Sequence, residues 1–287
     1  MCEANWTHLA SGAFKTVSIL FRQDEFMDLS LEGRVYVVTG GSRGLGLATA
    51  AVLVAEGACV VIAARDEGHI ASAVAELGGH DHAVGLPTDL TDPSSAERLA
   101  AAAVARFGRL DGALLSTGGP PRGTALASTD TAWREGFESA FLGPLRVARA
   151  CAAAMSDDPA ALPGTAGSLL FVLATSVRSP DPNLAVSNGL RPGLAGITKQ
   201  LADELAPRGI RVNGLLPGSI ATERRFALDA SVGAPDAIRR RNEASIPLGR
   251  YGEPAEFGRV AAFLLSPASS YVTGALIPVE GGSLRSF

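Results

Sequence analysis

From Val35 onward, short runs of β-branched and aliphatic residues alternate with longer, alanine-rich stretches whose apolar positions recur every three to four residues. The runs predict strands at Val35–Thr39, Cys59–Ala63, Ala83–Leu86, Ala113–Leu115, Leu169–Leu173, Arg211–Leu215 and Ala275–Val279. The stretches between them predict helices over 44–56, 67–77, 94–107, 130–155, 187–206 and 254–265. Strands that are apolar at nearly every position are covered on both faces, which implies a parallel sheet between two helical layers.

Right-handed crossovers between such strands give a single-domain α/β fold, a doubly wound, Rossmann-like parallel sheet. Its extent is 27–287. Residues 1–26 lack the strand–helix rhythm and read as an N-terminal arm or an extension from an alternative start. Residues 219–250, rich in Arg and Ala and closed by Pro247 and Gly249, lie where such folds carry a mobile flap over the substrate.

The composition excludes several classes. A formal charge of −4 gives no basic face for nucleic acid. No stretch reaches the roughly 18 uncharged apolar residues that a membrane span needs, so no membrane association is expected. Cys2, Cys59 and Cys151 are odd in number and widely spaced, which predicts neither a disulfide framework nor a metal site and fits a reducing, cytoplasmic setting. The positive charge is almost all arginine, with lysine only at Lys15 and Lys199; codon usage accounts for this as well as chemistry does.

The first strand runs into Thr39-Gly40-Gly41-Ser42-Arg43-Gly44-Leu45-Gly46 and then an apolar helix. Glycines at 40, 44 and 46 let the chain turn sharply and bring backbone amides up to a pyrophosphate at a helix N-terminus. A glycine turn alone is a weak signal, but its place between first strand and first helix makes it a dinucleotide-binding signature.

This spacing resembles that of the short-chain dehydrogenases/reductases, and the likeness extends over about 29–287. Asp89-Leu90 resembles the family's adenine-ring contact. Asn213 in Arg211-Val-Asn-Gly-Leu-Leu-Pro217-Gly218, with Thr222 shortly after, resembles the segment that holds the carboxamide and pyrophosphate. Tyr271-Val-Thr-Gly274 and Val279-Glu-Gly-Gly282 resemble its last strand and ending, most of all in the 3-oxoacyl-carrier-protein reductase-like branch.

The family's NAD-preferring members end the second strand in an acidic residue that accepts the ribose hydroxyls. That position is Ala64 here, followed by Arg65, and Arg43 stands in the glycine turn. Two guanidinium groups suit a 2′-phosphate, so the expected cofactor is NADP(H). Asp66 keeps NAD(H) open as the lesser alternative.

In that family a serine orients the carbonyl, a tyrosine protonates it, a lysine four residues later tunes the tyrosine, and an asparagine supports a water relay. By resemblance Ser176 is the serine, although a hydroxyl there also suits a bond to loop backbone. The helix 192–202 fixes the register that puts Ser187 at the tyrosine position and Arg191 at the lysine position, and counting from Trp133 and Gly143 puts Ala140 at the asparagine position. An alkyl hydroxyl is a far weaker acid than a phenol, and arginine stays protonated and relays no proton. Arg191 still offers cofactor-binding hydrogen bonds to the ribose, or to a carboxylate. Tyr36 and Tyr271 read as structural, while Tyr251, at the flap border, is a remote substitute acid.

The family's Asn-Asn-Ala-Gly turn has become Leu115-Ser-Thr-Gly118, followed by Gly119-Pro-Pro-Arg122. The surviving Gly118 passes close to the cofactor in the family, and the Gly-Gly-Pro-Pro run with Ser-Asn-x-x-Arg is similar to a divergent subgroup lacking the usual tetrad. Two readings follow: an NADP(H)-dependent oxidoreductase acting on a small carbonyl or alcohol, or a non-redox cofactor-binding protein or enzyme of cyclisation or elimination. The resemblance also implies a homo-oligomer, tetramer or dimer, through the helices 136–155 and 193–206 and the last strand; their alanine-rich faces suit intrachain packing equally.

Overall fold

The computed structural model describes residues 28–156, 164–231 and 233–286. The arm assigned to residues 1–26 lies outside the described residues.

Seven parallel strands form one sheet in the order β3-β2-β1-β4-β5-β6-β7. They are β1 (Val35–Thr39), β2 (Cys59–Ala64), β3 (Ala83–Pro87), β4 (Gly112–Leu115), β5 (Gly167–Val172), β6 (Ile210–Pro217) and β7 (Leu276–Val279). Every strand read from the sequence is present, with ends moved by no more than two residues. In β1 all five residues are buried, with Val35 and Val37 entering one core and Tyr36 and Val38 the other. That is the period of two expected of a strand covered on both sides.

Helices α3 (Ser95–Phe107), α5 (Gly143–Ala154) and α6 (Ala185–Leu205) close one face through Leu99, Val147, Leu194 and Phe171. On the other face α1 (Gly44–Ala55), α2 (Glu67–Glu76) and α9 (Pro254–Leu265) pack through Leu53, Ile70, Phe257 and Leu264. The strand order reverses between β1 and β4, and the crevice beyond their carboxyl ends is where ligands enter such sheets.

Two segments differ from the sequence reading. The helix expected over 130–155 is α4 (Asp130–Phe137), a π-helical turn at Glu138–Leu142, then α5. Pro144 has no N–H for the Ala140 carbonyl, and the Gly143 amide donates five residues back, to Glu138. The segment 219–250, read only as a flap, contains α7 (Glu223–Ala230) and α8 (Pro235–Ser245). It is anchored by an Ile220–Gly252 bridge and by buried Asp229.

Candidate functional site

The glycine turn is built by close approach. A Cβ on Gly46 would stand 2.2 Å from the Gly40 carbonyl oxygen, and Gly40 itself has φ +62° beside the Ser116 backbone. Any side chain at Gly46 would push α1 off β1. Arg43 precedes α1 in an extended conformation without capping it, and the first turn of α1 carries no acidic residue. Its leading amides therefore point outward without a side-chain acceptor, the arrangement that takes a phosphate. Ser42 and Leu45, both half-buried, complete the turn.

The turn is tied to its neighbours. Thr39 Oγ1 donates to the Ser116 carbonyl at 2.7 Å and accepts the Ser116 amide at 2.8 Å, locking the end of β1 to the end of β4. From β6, Gly218 donates to Val279 O at 3.0 Å, and Pro217–Gly218 lead to Thr222, whose methyl lies 3.5 Å from where a Cβ on Gly44 would be. Thr222 Oγ1 caps α7 by accepting the Arg225 amide at 3.3 Å. Asn213 is turned away from the crevice, spending its amide on Val272 O and the Ala275 amide.

At the ends of β2 and β3 the side chains divide by charge. Arg65 is exposed and makes no hydrogen bond or ion pair among the described residues, whereas Asp66 caps α2 by accepting the His69 amide at 2.7 Å. That amide holds the Asp66 carboxyl below its ordinary range, and His69 Nδ1 approaches it at 3.1 Å. Arg43 pairs with Glu223 at 3.4 Å, both largely exposed. Asp89 is exposed and accepts the amide and hydroxyl of Thr91 at 2.9 Å, while its carbonyl takes Ser95 Oγ at 2.7 Å; Leu90 packs against Gly143.

Around the ends of β4 and β5 the structure gathers Thr117, Gly118, Ser176, Arg191 and, unanticipated, Arg224. Ser176 sits in a 3₁₀ turn after β5, 4% exposed, its Oγ without a hydrogen-bond partner. Ser187 and Arg191, four residues apart on one face of α6, are both buried. The Arg191 guanidinium donates to the Val172 carbonyl and, at 3.3 Å, to Thr117 Oγ1, and it forms no ion pair among the described residues. Burial pushes its pKa down to about 10, with the charge of Arg224 adding to the effect, so it remains a cation at neutral pH.

Arg224 projects from α7 over the turn after β4. A Cβ on Gly119 would lie 2.4 Å from its Nη2. The residue is exposed overall, and packing of its guanidinium over the turn lowers its pKa by partial desolvation. The arginine density of 219–250 is plain in the sequence, but nothing in it signals which guanidinium faces the crevice.

The remaining residues of Ser187-Asn-Gly-Leu-Arg191 have structural tasks. Asn188 ties α6 to the preceding loop through the Asp181 amide and carbonyl, at 3.2 and 2.6 Å. Gly189 makes room for the Trp133 ring. Ala140 is buried in the π-helical turn. Pro120 is buried beside Gly136, and the diproline segment ends at Gly123, bridged to Leu184 just before α6.

The tyrosines divide differently from expectation. Tyr36 is fully buried, as a structural residue should be, whereas Tyr271, also read as structural, is fully exposed and its ring covers nothing. Tyr251 cannot stand in as the acid: it is 2% exposed and its hydroxyl is engaged by Asp229 and Asn242. Among the described residues no helix is long and apolar enough to cross a membrane, and no group of three metal-ligating side chains converges.

Comparison with known proteins agrees with this layout. Residues 40–283 match the family model described as enoyl-(acyl carrier protein) reductase. The 3-oxoacyl-(acyl-carrier-protein) reductase FabG of Salmonella typhimurium is 35% identical over 255 residues, covering 88% of this chain and 98% of its own. A short-chain oxidoreductase from Pseudomonas aeruginosa PAO1, described as containing an atypical catalytic center, superposes with TM-score 0.80 at 28% identity, covering 90% of this chain and 99% of its own. YwfH, an NADPH-dependent reductase involved in bacilysin biosynthesis, superposes with TM-score 0.82 at 25% identity, covering 88% and 99%. With its glycine turn, its seven-stranded sheet and these relatives, the chain belongs to the short-chain dehydrogenase/reductase family and is similar to its 3-oxoacyl-carrier-protein reductases.

Proposed function

We propose that this protein is an NADP(H)-dependent oxidoreductase that interconverts a carbonyl and an alcohol without the family's phenolic acid. The observation that carries the reading is the glycine turn, where Gly46 stands against the Gly40 carbonyl and the leading amides of α1 face the switch-point crevice. Those amides, with Gly118, Pro217, Gly218 and Thr222 around them, would hold the pyrophosphate and nicotinamide half, and Asp89 and Leu90 the adenine. Arg65 is free to meet a 2′-phosphate, and Arg43 can leave an exposed bridge to do so, because such bridges are worth little. Asp66 is already engaged as a helix cap, which weakens the case for NAD(H). The NADPH-dependent relative YwfH supports the same preference.

When bound, the nicotinamide supplies or accepts the hydride. Ser176 would donate its unpaired hydroxyl to the carbonyl oxygen, and Arg191 would hold negative charge developing beside it. Ser187 is too weak an acid to protonate that oxygen, and buried Arg191 holds its proton at neutral pH, so the proton comes from water. Loss of a positioned general acid costs roughly 10²–10⁴ in rate, which leaves a slow enzyme rather than none. The Pseudomonas aeruginosa neighbour described as containing an atypical catalytic center has the same fold, which supports this reading.

Calorimetry with NADPH and NADH, followed by nicotinamide absorbance over a panel of ketones, quinones and 3-oxoacyl thioesters, tests this reading. Tighter binding of NADPH, abolished by Arg65→Ala, together with turnover on one substrate class is the expected result. Equal affinity for the two coenzymes defeats the NADP(H) assignment. Binding without any turnover would favour the second reading, a non-redox role, to which the engaged hydroxyl of Tyr251 already lends weight. Assembly as a dimer or tetramer through α5, α6 and β7 is part of the same proposal, and sedimentation of the purified chain checks it.

A further inference from the structure

We propose that Arg191 and Arg224 form a two-guanidinium seat for a carboxylate carried by the substrate, so that the substrate is an oxo acid or its hydroxy-acid counterpart. This rests on the oxidoreductase reading and specifies its substrate class.

Two buried arginines in the same molecule make the case by contrast. Arg211 is buried in the core beneath the end of α9, where the carbonyls of Gly164, Leu264 and Ser266 and the hydroxyl of Ser269 take its donors at 2.7–2.8 Å. It is a satisfied structural residue. Arg191 is as deeply buried, but among the described residues it has only the Val172 carbonyl and a 3.3 Å contact to Thr117, with no carboxylate paired to it. A guanidinium out of water without an anion is costly, and the cost is removed when a hydrogen-bonding anion joins it.

Arg224 adds a second cation at the same place. Its neighbours on α7 are paired, Glu223 with Arg43 and Arg225 with Asp229, whereas Arg224 has no hydrogen bond or ion pair among the described residues. Its guanidinium lies over Gly118–Gly119, directly after the Thr117 that Arg191 touches. Two like charges facing one turn repel each other unless an anion lies between them. Planar guanidinium groups match a carboxylate in pairs of parallel hydrogen bonds. The third observation is independent of charge: the buried hydroxyl of Ser176 is unpartnered after the neighbouring strand. A carbonyl oxygen for Ser176 and a carboxylate for the arginines together describe one ligand.

The shared chemistry, an anion, could also come from the cofactor's pyrophosphate. The α1 turn already provides that group with amides; Arg224 stands over Gly118–Gly119, along which the cofactor would also run, so NADP⁺ affinity in the Arg224 variant separates the two sources.

The test is calorimetry on the full chain saturated with NADP⁺, which cannot donate hydride, using 2-oxohexanoate and its methyl ester as probes. The acid should bind roughly 10²-fold more tightly than the ester, as expected for a carboxylate paired with the buried Arg191 and supported by the more exposed Arg224. Arg224→Gln should cut that preference by about tenfold and leave NADP⁺ affinity unchanged, and Arg224→Lys should lose less of it. Equal binding of acid and ester, or no binding of either, overturns the proposal. So does a loss of NADP⁺ affinity in Arg224→Gln with the acid preference intact, which would give Arg224 to the pyrophosphate. Failure of NADP⁺ to bind sinks the cofactor reading separately, and titrating the cofactor-free chain with both probes then decides the carboxylate seat alone.

Discussion

The hydroxyl of Tyr251 donates to Asp229 Oδ2 at 2.8 Å, joining the segment before α9 to the end of α7. Arg225 and Asn242 bond the same carboxylate, and the Arg225 and Arg239 guanidinium groups stand over the Tyr251 ring at 5.6 and 5.7 Å. One buried carboxylate thus holds together the two helices over the crevice, although α8 buries no residue of its own. Tyr251→Phe should cost about 0.5–1.5 kcal/mol. Hydrogen exchange should accelerate over 223–245 and not in the strands. Unchanged exchange there would show that the flap is held by something else.

The same network sets a pH dependence. Burial alone would raise the Asp229 pKa, but the hydrogen bonds from Arg225 and Tyr251 outweigh it and hold the carboxyl below its usual value. A lowered folded pKa stabilises at every pH above the unfolded value, roughly 3.9, and that contribution is lost as pH falls through the folded value. Carbon-13 NMR titration of Asp229 should therefore show a depressed midpoint in the wild type and a higher one in Tyr251→Phe. The flap should loosen in acid before the sheet does.

Gly46→Ala tests the glycine turn. The added methyl would meet the Gly40 carbonyl at 2.2 Å, a contact between two backbone segments that no side-chain rotation relieves. Moving α1 to accommodate it should cost roughly 1–3 kcal/mol. It should also displace the leading amides and weaken NADPH binding by more than about tenfold. A variant that binds NADPH as the wild type does would show that the phosphate is held elsewhere.

Ser176→Ala separates stability from function. Its buried hydroxyl has no partner, so removing it should stabilise the cofactor-free chain by about 1 kcal/mol. That corresponds to a melting-temperature rise of roughly 2–4 °C. The same change removes the donor proposed for the carbonyl and should weaken substrate binding to the cofactor complex about tenfold. A fall in melting temperature would mean that the hydroxyl is satisfied within the protein.

The sheet was readable because strands covered on both faces leave continuous apolar runs, and β1 needed no correction. The glycine turn was readable because close backbone contact demands glycine. What escaped is set by contacts remote in sequence or by single backbone bonds. Nothing in the residues around Arg224 distinguishes it from Arg225, yet one faces Gly119 and the other Asp229. The π-helical turn depends on one missing N–H at Pro144, which an apolar pattern does not record. Tyr251 passes for a remote acid in the sequence because exposure cannot be counted along a chain, and Asp229, its partner, lies 22 residues earlier.

Ser187→Tyr with Arg191→Lys tests whether a phenol alone is what the centre lacks. Ser187 and Arg191 share one face of α6, so a tyrosine and a lysine four residues apart would meet as neighbours, and the ammonium would lower the phenol's pKa. The larger ring enters a position that is only 7% exposed, so about 1–3 kcal/mol of stability should be lost. Reduction of simple ketones should nonetheless rise by roughly 10²-fold or more, because a positioned general acid contributes that much. The new activity should decline with rising pH as the phenol ionises, a profile that no residue of the wild-type centre provides. Replacing Arg191 also removes a planar guanidinium from the carboxylate seat, so preference for an oxo acid over its ester should fall in the same variant. If the double variant folds, binds NADPH and gains nothing on ketones, then either these two residues do not occupy the proton-donating positions or the missing acid is not what limits the wild-type protein.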